Sequence, residues 1–348
     1  MSRPLLLGLA LLAHAVLTVT PAQAAGPADR LDRFRTLAAS RLSLVEAQDP
    51  ERAAETYREI YGLVDEEIVE SLASGSVFAT PAFLQDRLDG FAEAWGGAFL
   101  KLSRVGRFTV GAFALGDGPA GSSVRIYGAT GSEAQLLATF QREGRATVYE
   151  LPKTGDRAAF FIIWEGVPTG RGTRTLRMDL VHELGDAAAV VWSTANLFPE
   201  GLAARDWHIR GGEVRIRYEL HYPGWTPGCE PQTEQEDTLK VAPDGSGVAR
   251  VGRRQYHAWH LVLHRTVEGL MTALAEGNRA ALATMVPDRQ LLQALPPRLQ
   301  REAACDAPDA PEPAAVSVAA TGEGGPWTLT FRRTGGQWRL TSAAPVLQ

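Results

Sequence analysis

Between residues 50 and 100 the apolar side chains recur every three or four positions. Tyr57, Tyr61, Val64, Ile68 and Leu72 make one stripe; Leu84, Leu88, Phe91, Trp95 and Phe99 make a second. That spacing gathers each set on one face of a helix. Asp49-Pro50 and Thr80-Pro81 each place a capping side chain before a proline, so helices are predicted to start there, and Gly75 is a stop for the first. Glu59, Glu66, Glu67 and Glu70 fall mostly off the apolar face. A weaker helical pattern precedes these, from about Asp29 to Val45. Both stripes read as packing faces, with nothing that suggests a cofactor box.

From about 103 to 252 the period drops to two, the spacing of strands. Val214, Ile216, Tyr218, Leu220 and Tyr222 alternate with Arg215, Arg217, Glu219 and His221, as in a strand with one wet face. Leu176, Met178 and Leu180 alternate with Arg177 and Asp179; Gly185-Asp186 offers a tight turn into the apolar run Ala188 to Trp192. Phe160 to Trp164 is apolar without a break, as in a strand buried on both faces. With segments near 107–115, 122–128, 135–141 and 145–151, this is roughly nine or ten short strands, which predicts an antiparallel sandwich or barrel.

The helical period returns at about 255, where Trp259, Leu263, Val267, Leu270 and Leu274 share a face. A second helix follows Pro287-Asp288 with Leu291, Leu292 and Leu295, then a Pro-rich linker at 307–313. Three strands close the chain: one with Val316 and Val318, one from Trp327 to Arg332, and one from Trp338 to Thr341 after Gly335-Gly336. The helix bearing Ala-Leu-Ala-Glu-Gly-Asn-Arg-Ala-Ala-Leu at 273–282, the second helix and the run Trp327 to Leu340 resemble the C-terminal part of nuclear-transport-factor-2-like (SnoaL-like) α+β domains. The resemblance covers under a third of the chain. It implies a cone-shaped fold that often holds a pocket, and it brings no shared catalytic motif. The expected architecture is therefore α+β: a signal segment at 1–24, helices over 25–102, an antiparallel β-rich middle over 103–252 and a small α+β domain over 253–348.

The first 24 residues change the picture of where the protein works. Arg3 is the only charge before Asp29; an apolar run from Leu5 to Val19 follows, then Ala22-Gln23-Ala24. A positive start, a short apolar stretch and a small-x-small site make a cleavable export signal, so an extracytoplasmic protein starting at Ala25 is expected. No later stretch reaches the roughly 18 apolar residues of a membrane helix, so no membrane insertion is expected after cleavage. A net charge of −5 gives no reason to expect nucleic acid as a partner. Only Lys101, Lys153 and Lys240 among the 35 basic residues are lysine, and this arginine excess reads as coding bias. In an oxidising compartment the two cysteines, Cys229 and Cys305, are a disulfide candidate, and a bridge between them is expected. That bridge closes a loop of roughly 75 residues and contributes about 4 kcal/mol in the chain-entropy model.

Several motifs fail on context. Gly116-x-Gly118-x-x-Gly121 matches a dinucleotide fingerprint, yet a strand pattern follows where a helix is required. His182-Glu183 begins a zinc-protease signature, but Asp186 stands where the second histidine belongs and the segment alternates like a strand. There is no Ser elbow, with Ser246 in a turn sequence, and no paired Cys-x-x-Cys. The acidic run Glu230, Glu234, Glu236 and Asp237 fits no calcium template and reads as a solvated loop.

Two features remain. His257, His260 and His264 stand at i, i+3 and i+7, one stripe of a helix, with Glu268 continuing it. Neutral imidazole is a common transition-metal ligand. The stripe lies off the Trp259/Leu263/Val267 face, so a wet or structural surface with weak or no metal binding is expected. Tyr222 and Trp225 occupy a Pro-Gly loop that ends the best strand. Such aromatics plug the end of a sheet pair or stack on sugar rings. The sequence thus points to an exported, non-catalytic binding or structural module without a cofactor, for a small molecule or glycan. A metal-dependent enzyme built on His257, His260 and His264 is the alternative.

Overall fold

A computed structural model describes residues 27–41, 50–116, 118–152, 157–222, 225, 232–303, 310 and 312–346. The export segment, Cys229 and Cys305, and with them the expected cleavage and disulfide, lie outside the described residues. Helices α1 (Pro27–Ala38), α2 (Pro50–Ser74) and α3 (Pro81–Trp95) come first. Thr80 caps α3 as its sequence predicts, its Oγ1 accepting from the Phe83 N–H at 3.3 Å. An antiparallel meander follows: β1 (Phe99–Val105), β2 (Phe108–Ala114), β3 (Ser122–Thr130) and β4 (Glu133–Gln141).

The second sheet comprises β5 (Arg145–Glu150), β6 (Ala159–Glu165), β7 (Arg174–Leu184), β8 (Ala187–Ser193), β9 (Ala203–Arg210), β10 (Glu213–Glu219), β11 (Glu234–Val241) and β12 (Val248–Tyr256). Its order is β12-β11-β10-β9-β7-β6-β5, with β8 also on β7. Strand β7 divides one edge between two partners: Arg174 and Thr175 pair with β9, and Asp179 to Leu184 pair with β8. The last unit holds α4 (Ala258–Glu276), α5 (Arg279–Met285), α6 (Arg289–Ala294) and a four-stranded antiparallel sheet of β13 (Leu299–Arg301), β14 (Ala315–Gly322), β15 (Gly325–Thr334) and β16 (Gln337–Pro345). The protein is therefore α+β with a β-rich middle. No described helix is long and apolar enough to cross a membrane.

Four buried clusters hold these layers. Tyr61, Ile68, Leu84 and Phe91 of the helices pack on Leu100, Phe113 and Tyr127 of the meander. The other face of the meander, with Phe108, Val110, Val124 and Ile126, meets Phe160, Ile162 and Trp164 of β6. The alternate residues of β6, Phe161 and Ile163, turn to a third cluster with Met178, Leu180, Val214, Ile216 and Leu239. The C-terminal unit has its own core of Trp259, Leu263, Val267 and Leu270 against Val318, Leu329, Phe331 and Trp338.

The structure corrects several expectations. The third helix stops at Trp95, where Gly96 and Gly97 take positive φ of 90° and 105°; Phe99 continues the apolar spacing of the stripe but opens β1. Strand β12 stays hydrogen-bonded to β11 through Tyr256, and α4 starts at Ala258. The acidic run at 234–237 is strand β11 and not a solvated loop. Asp237 is wholly buried, 2.9 Å from Arg253 Nε and 3.4 Å from Arg250 Nη1, and Glu234 is held by Arg205 and Arg217. Guanidinium groups on neighbouring strands neutralise carboxylates that would otherwise have to stay in water. The Gly116–Gly121 motif ends in a short 3₁₀ turn, Pro119–Gly121, leading into β3, and His182-Glu183 lies on β7.

One buried ion pair pins the helices to the meander. Asp65 of α2 receives Arg125 Nε at 2.5 Å and the Tyr127 hydroxyl at 2.7 Å. Removing one partner of such a pair leaves a buried charge alone. Asp65→Ala is expected to lose about 3–5 kcal/mol of unfolding free energy. Urea titration measures this; a loss below about 1 kcal/mol, the value of a surface pair, is the contrary result.

Candidate functional site

Strand β10 carries Val214, Ile216 and Tyr218 into the core, and its chain then runs on as Leu220, His221 and Tyr222 over the first turns of α4. The Tyr222 hydroxyl lies 2.5 Å from His260 Nδ1, and its ring 5.6 Å from that of His264. Arg301, at the end of β13, places Nη2 3.2 Å from His264 Nε2. Arginine only donates, so Nε2 accepts and the proton of His264 sits on Nδ1. That nitrogen is buried with no hydrogen-bond partner among the described residues. Thr233 ties the helix start down: its Oγ1 donates to the His257 carbonyl at 2.7 Å and accepts from the Leu261 N–H at 3.1 Å.

Burial first, and the Arg301 charge second, push His260 down to about 4 and His264 down to about 3. Burial likewise raises the Tyr222 phenol above its ordinary value, so it keeps its proton and donates to His260. The cluster is thus a set of neutral rings wedged between the β-rich middle and the C-terminal unit.

This revises the histidine stripe in two ways. His260 and His264 are each 2% exposed, not wet, because the chain after β10 covers them. His257 stands before the helix with φ of 51°, so its ring leaves the stripe and lines a different cavity. Sequence periodicity showed only one packed face of α4; the second face is covered by a segment remote in sequence. Trp225 stacks on His221, with ring centroids 3.9 Å apart, and Tyr222 serves as a plug over the imidazoles. Among the described residues no group of three or more His, Cys, Asp or Glu side chains could hold a metal ion. The Arg301 cation beside His264 Nε2 opposes one as well.

On another side of α4 a cleft of about 690 Å³ opens. Tyr218, Leu220, Phe198 and Leu202 give it an apolar lining, and α4 contributes Leu261 and Arg265. Gln235, Gln255, Arg253 and Thr175 bring polar groups to it from β11, β12 and β7. The polar groups are held in place. Gln235 Nε2 donates to the Tyr218 hydroxyl, Gln255 Nε2 donates to Gln235 Oε1 at 3.2 Å, and Asp237 fixes Arg253. Glu219 lies between this cleft and a smaller cavity of 170 Å³ ringed by Arg171, Arg205, Arg217, Gln232, Glu234 and His257. The cleft joins residues from six elements and loops, which is why sequence reading missed it; the one available signal was the alternation that ends in Tyr218 and Leu220.

No model of a known protein family matches this chain, and no curated protein matches it. Among solved structures, a structural-genomics crystal structure of a protein from Lactobacillus plantarum aligns over 71% of this chain and 70% of its own. The identity is 10% and the TM-score 0.19, too low to carry any argument about fold or function.

The depressed histidines make a pH prediction. Their unfolded pKa is near 6.5, above the folded values of about 4 and 3. The unfolded chain therefore binds more protons below pH 6.5, and stability falls as pH drops through that window. By pH 5 each ring is expected to account for roughly 2 kcal/mol of the loss. Urea titrations at pH 7.5 and 5 in wild type and His264→Leu measure it; equal pH slopes in the two proteins contradict it.

Proposed function

We propose that this chain is an exported, extracytoplasmic binding protein whose ligand occupies the cleft between the β10–β12 sheet and α4. One observation carries the reading: an open cleft of about 690 Å³, within the range of small-molecule sites, has an apolar lining and polar groups fixed by their own hydrogen bonds. The tripartite segment ending at Ala24 supports export. The core shared by β6 and the meander supports a sandwich for the middle region. Three helices on a four-stranded antiparallel sheet support the nuclear-transport-factor-2-like reading of the C-terminal unit.

The metal-dependent alternative has one feature in its favour, two buried neutral imidazoles at i, i+4. Tyr222 occupies one of their nitrogens and Arg301 stands against another, so the binding reading is preferred.

N-phenyl-1-naphthylamine, an uncharged probe whose fluorescence rises in apolar surroundings, tests the reading. Saturable one-to-one binding is expected, and loss of it in Leu261→Trp or Leu220→Trp, either of which fills the cleft, with the circular dichroism of the wild type. No saturable binding, or binding unchanged in a folded filling variant, contradicts the reading.

A further inference from the structure

The charges on the cleft wall are mostly spoken for. Glu219 Oε1 is 3.2 Å from Arg171 Nη2, and Glu219 Oε2 is 3.7 Å from His221 Nε2. Arg253 is tied through Nε and Nη2 to Asp237. Two charged groups lining the cleft have no ion pair among the described residues: Glu200, in the loop between β8 and β9, and Arg265 of α4; both are exposed. They do not pair with each other, although both border the same space.

Their settings differ. Arg265 follows Leu261 by four residues on a helix, so the two side chains are neighbours on one face, about 5–6 Å apart at their β-carbons. An apolar wall and a cation are therefore held side by side on a rigid element. Glu200 sits on a loop and repels any anion that is not turned towards α4. A guanidinium offers paired donors to an oxyanion, and Tyr218, Leu220 and Phe198 offer an aromatic and aliphatic bed for whatever carries it.

We propose that the ligand is an amphipathic organic acid: an apolar body against Tyr218, Leu220 and Leu261, and one oxyanion, carboxylate or sulfonate, on Arg265. This rests on reading the cleft as the binding site. It goes further by assigning the ligand's charge and orientation, and by making Arg265 the residue that selects for that charge. Glu200 disfavours ligands bearing a second anionic group.

Two probes that share one skeleton separate the claims. N-phenyl-1-naphthylamine is neutral; 8-anilinonaphthalene-1-sulfonate is the same framework with a sulfonate. Fluorescence titration of the full protein is expected to show the sulfonate binding about tenfold more tightly, the scale of a charge-assisted hydrogen bond at a partly exposed group. That advantage shrinks in high salt as the charges are screened. Arg265→Gln, at an exposed helix position, is expected to abolish the sulfonate's preference, the two probes being compared within the variant; Arg265→Glu is expected to reverse it. Equal affinity for both probes in the wild type, or an undiminished preference in Arg265→Gln, overturns the assignment while the cleft stands. Failure of both probes to bind saturably overturns the cleft and the assignment together.

Discussion

Strand β6 is buried on both faces, and the layers of the middle region depend on it. Phe160, Ile162 and Trp164 serve the core shared with the meander, while Phe161 and Ile163 serve the core enclosed by the second sheet. A slip of one residue exchanges the two sets between cores. Both sets are apolar, so polarity alone does not forbid the slip; the difference in volume between Trp164 and Ile163, in interiors that tolerate few voids, does. With β6 fixed, β7 is fixed beside it, and the short pairing of Arg174 and Thr175 with β9 leads the sheet on through β10, β11 and β12. That continuation brings Tyr218, Gln235 and Arg253 to α4, so the cleft inherits its rigidity from a strand it does not touch.

The second organising feature is arginine. Glu67 is held by Arg30 and Arg87, Asp65 by Arg125, Asp179 by Arg177, Glu219 by Arg171, Glu234 by Arg205 and Arg217, and Asp237 by Arg250 and Arg253. Such pairs add little net stability over an apolar core, but breaking one is costly, so they favour one arrangement over its competitors. A planar guanidinium with five donors can serve two strands at once, which a lysine ammonium does less well. The arginine excess therefore has a structural use that a reading of composition alone as coding bias leaves out.

Much of the local structure was legible. The stripes Tyr57–Ile68 and Leu84–Trp95, the Thr80 cap, the double burial of Phe160–Trp164 and the Gly335-Gly336 hairpin turn all follow from spacing and turn chemistry. Strand β11 was not legible, because Glu234, Gln235 and Asp237 are buried, the two acids against arginines of other strands, and leave no alternation to read. The histidines were misplaced for a related reason: helical periodicity describes the face of α4 that meets its own sheet, and says nothing of Tyr222 arriving from 38 residues earlier. The cleft, assembled across several strands, a loop and a helix, is a product of tertiary structure alone.

A crystal structure of the protein with N-phenyl-1-naphthylamine bound tests the central claim most directly. The account predicts the probe against Tyr218, Leu220 and Leu261, with its rings beside α4 and the backbone of the cleft unmoved. Two other hollows are large enough to compete, one of 330 Å³ beside Trp95 and Arg145 and one of 300 Å³ beside Phe78 and Phe83. The probe seated in either of these, with the junction cleft empty, contradicts it.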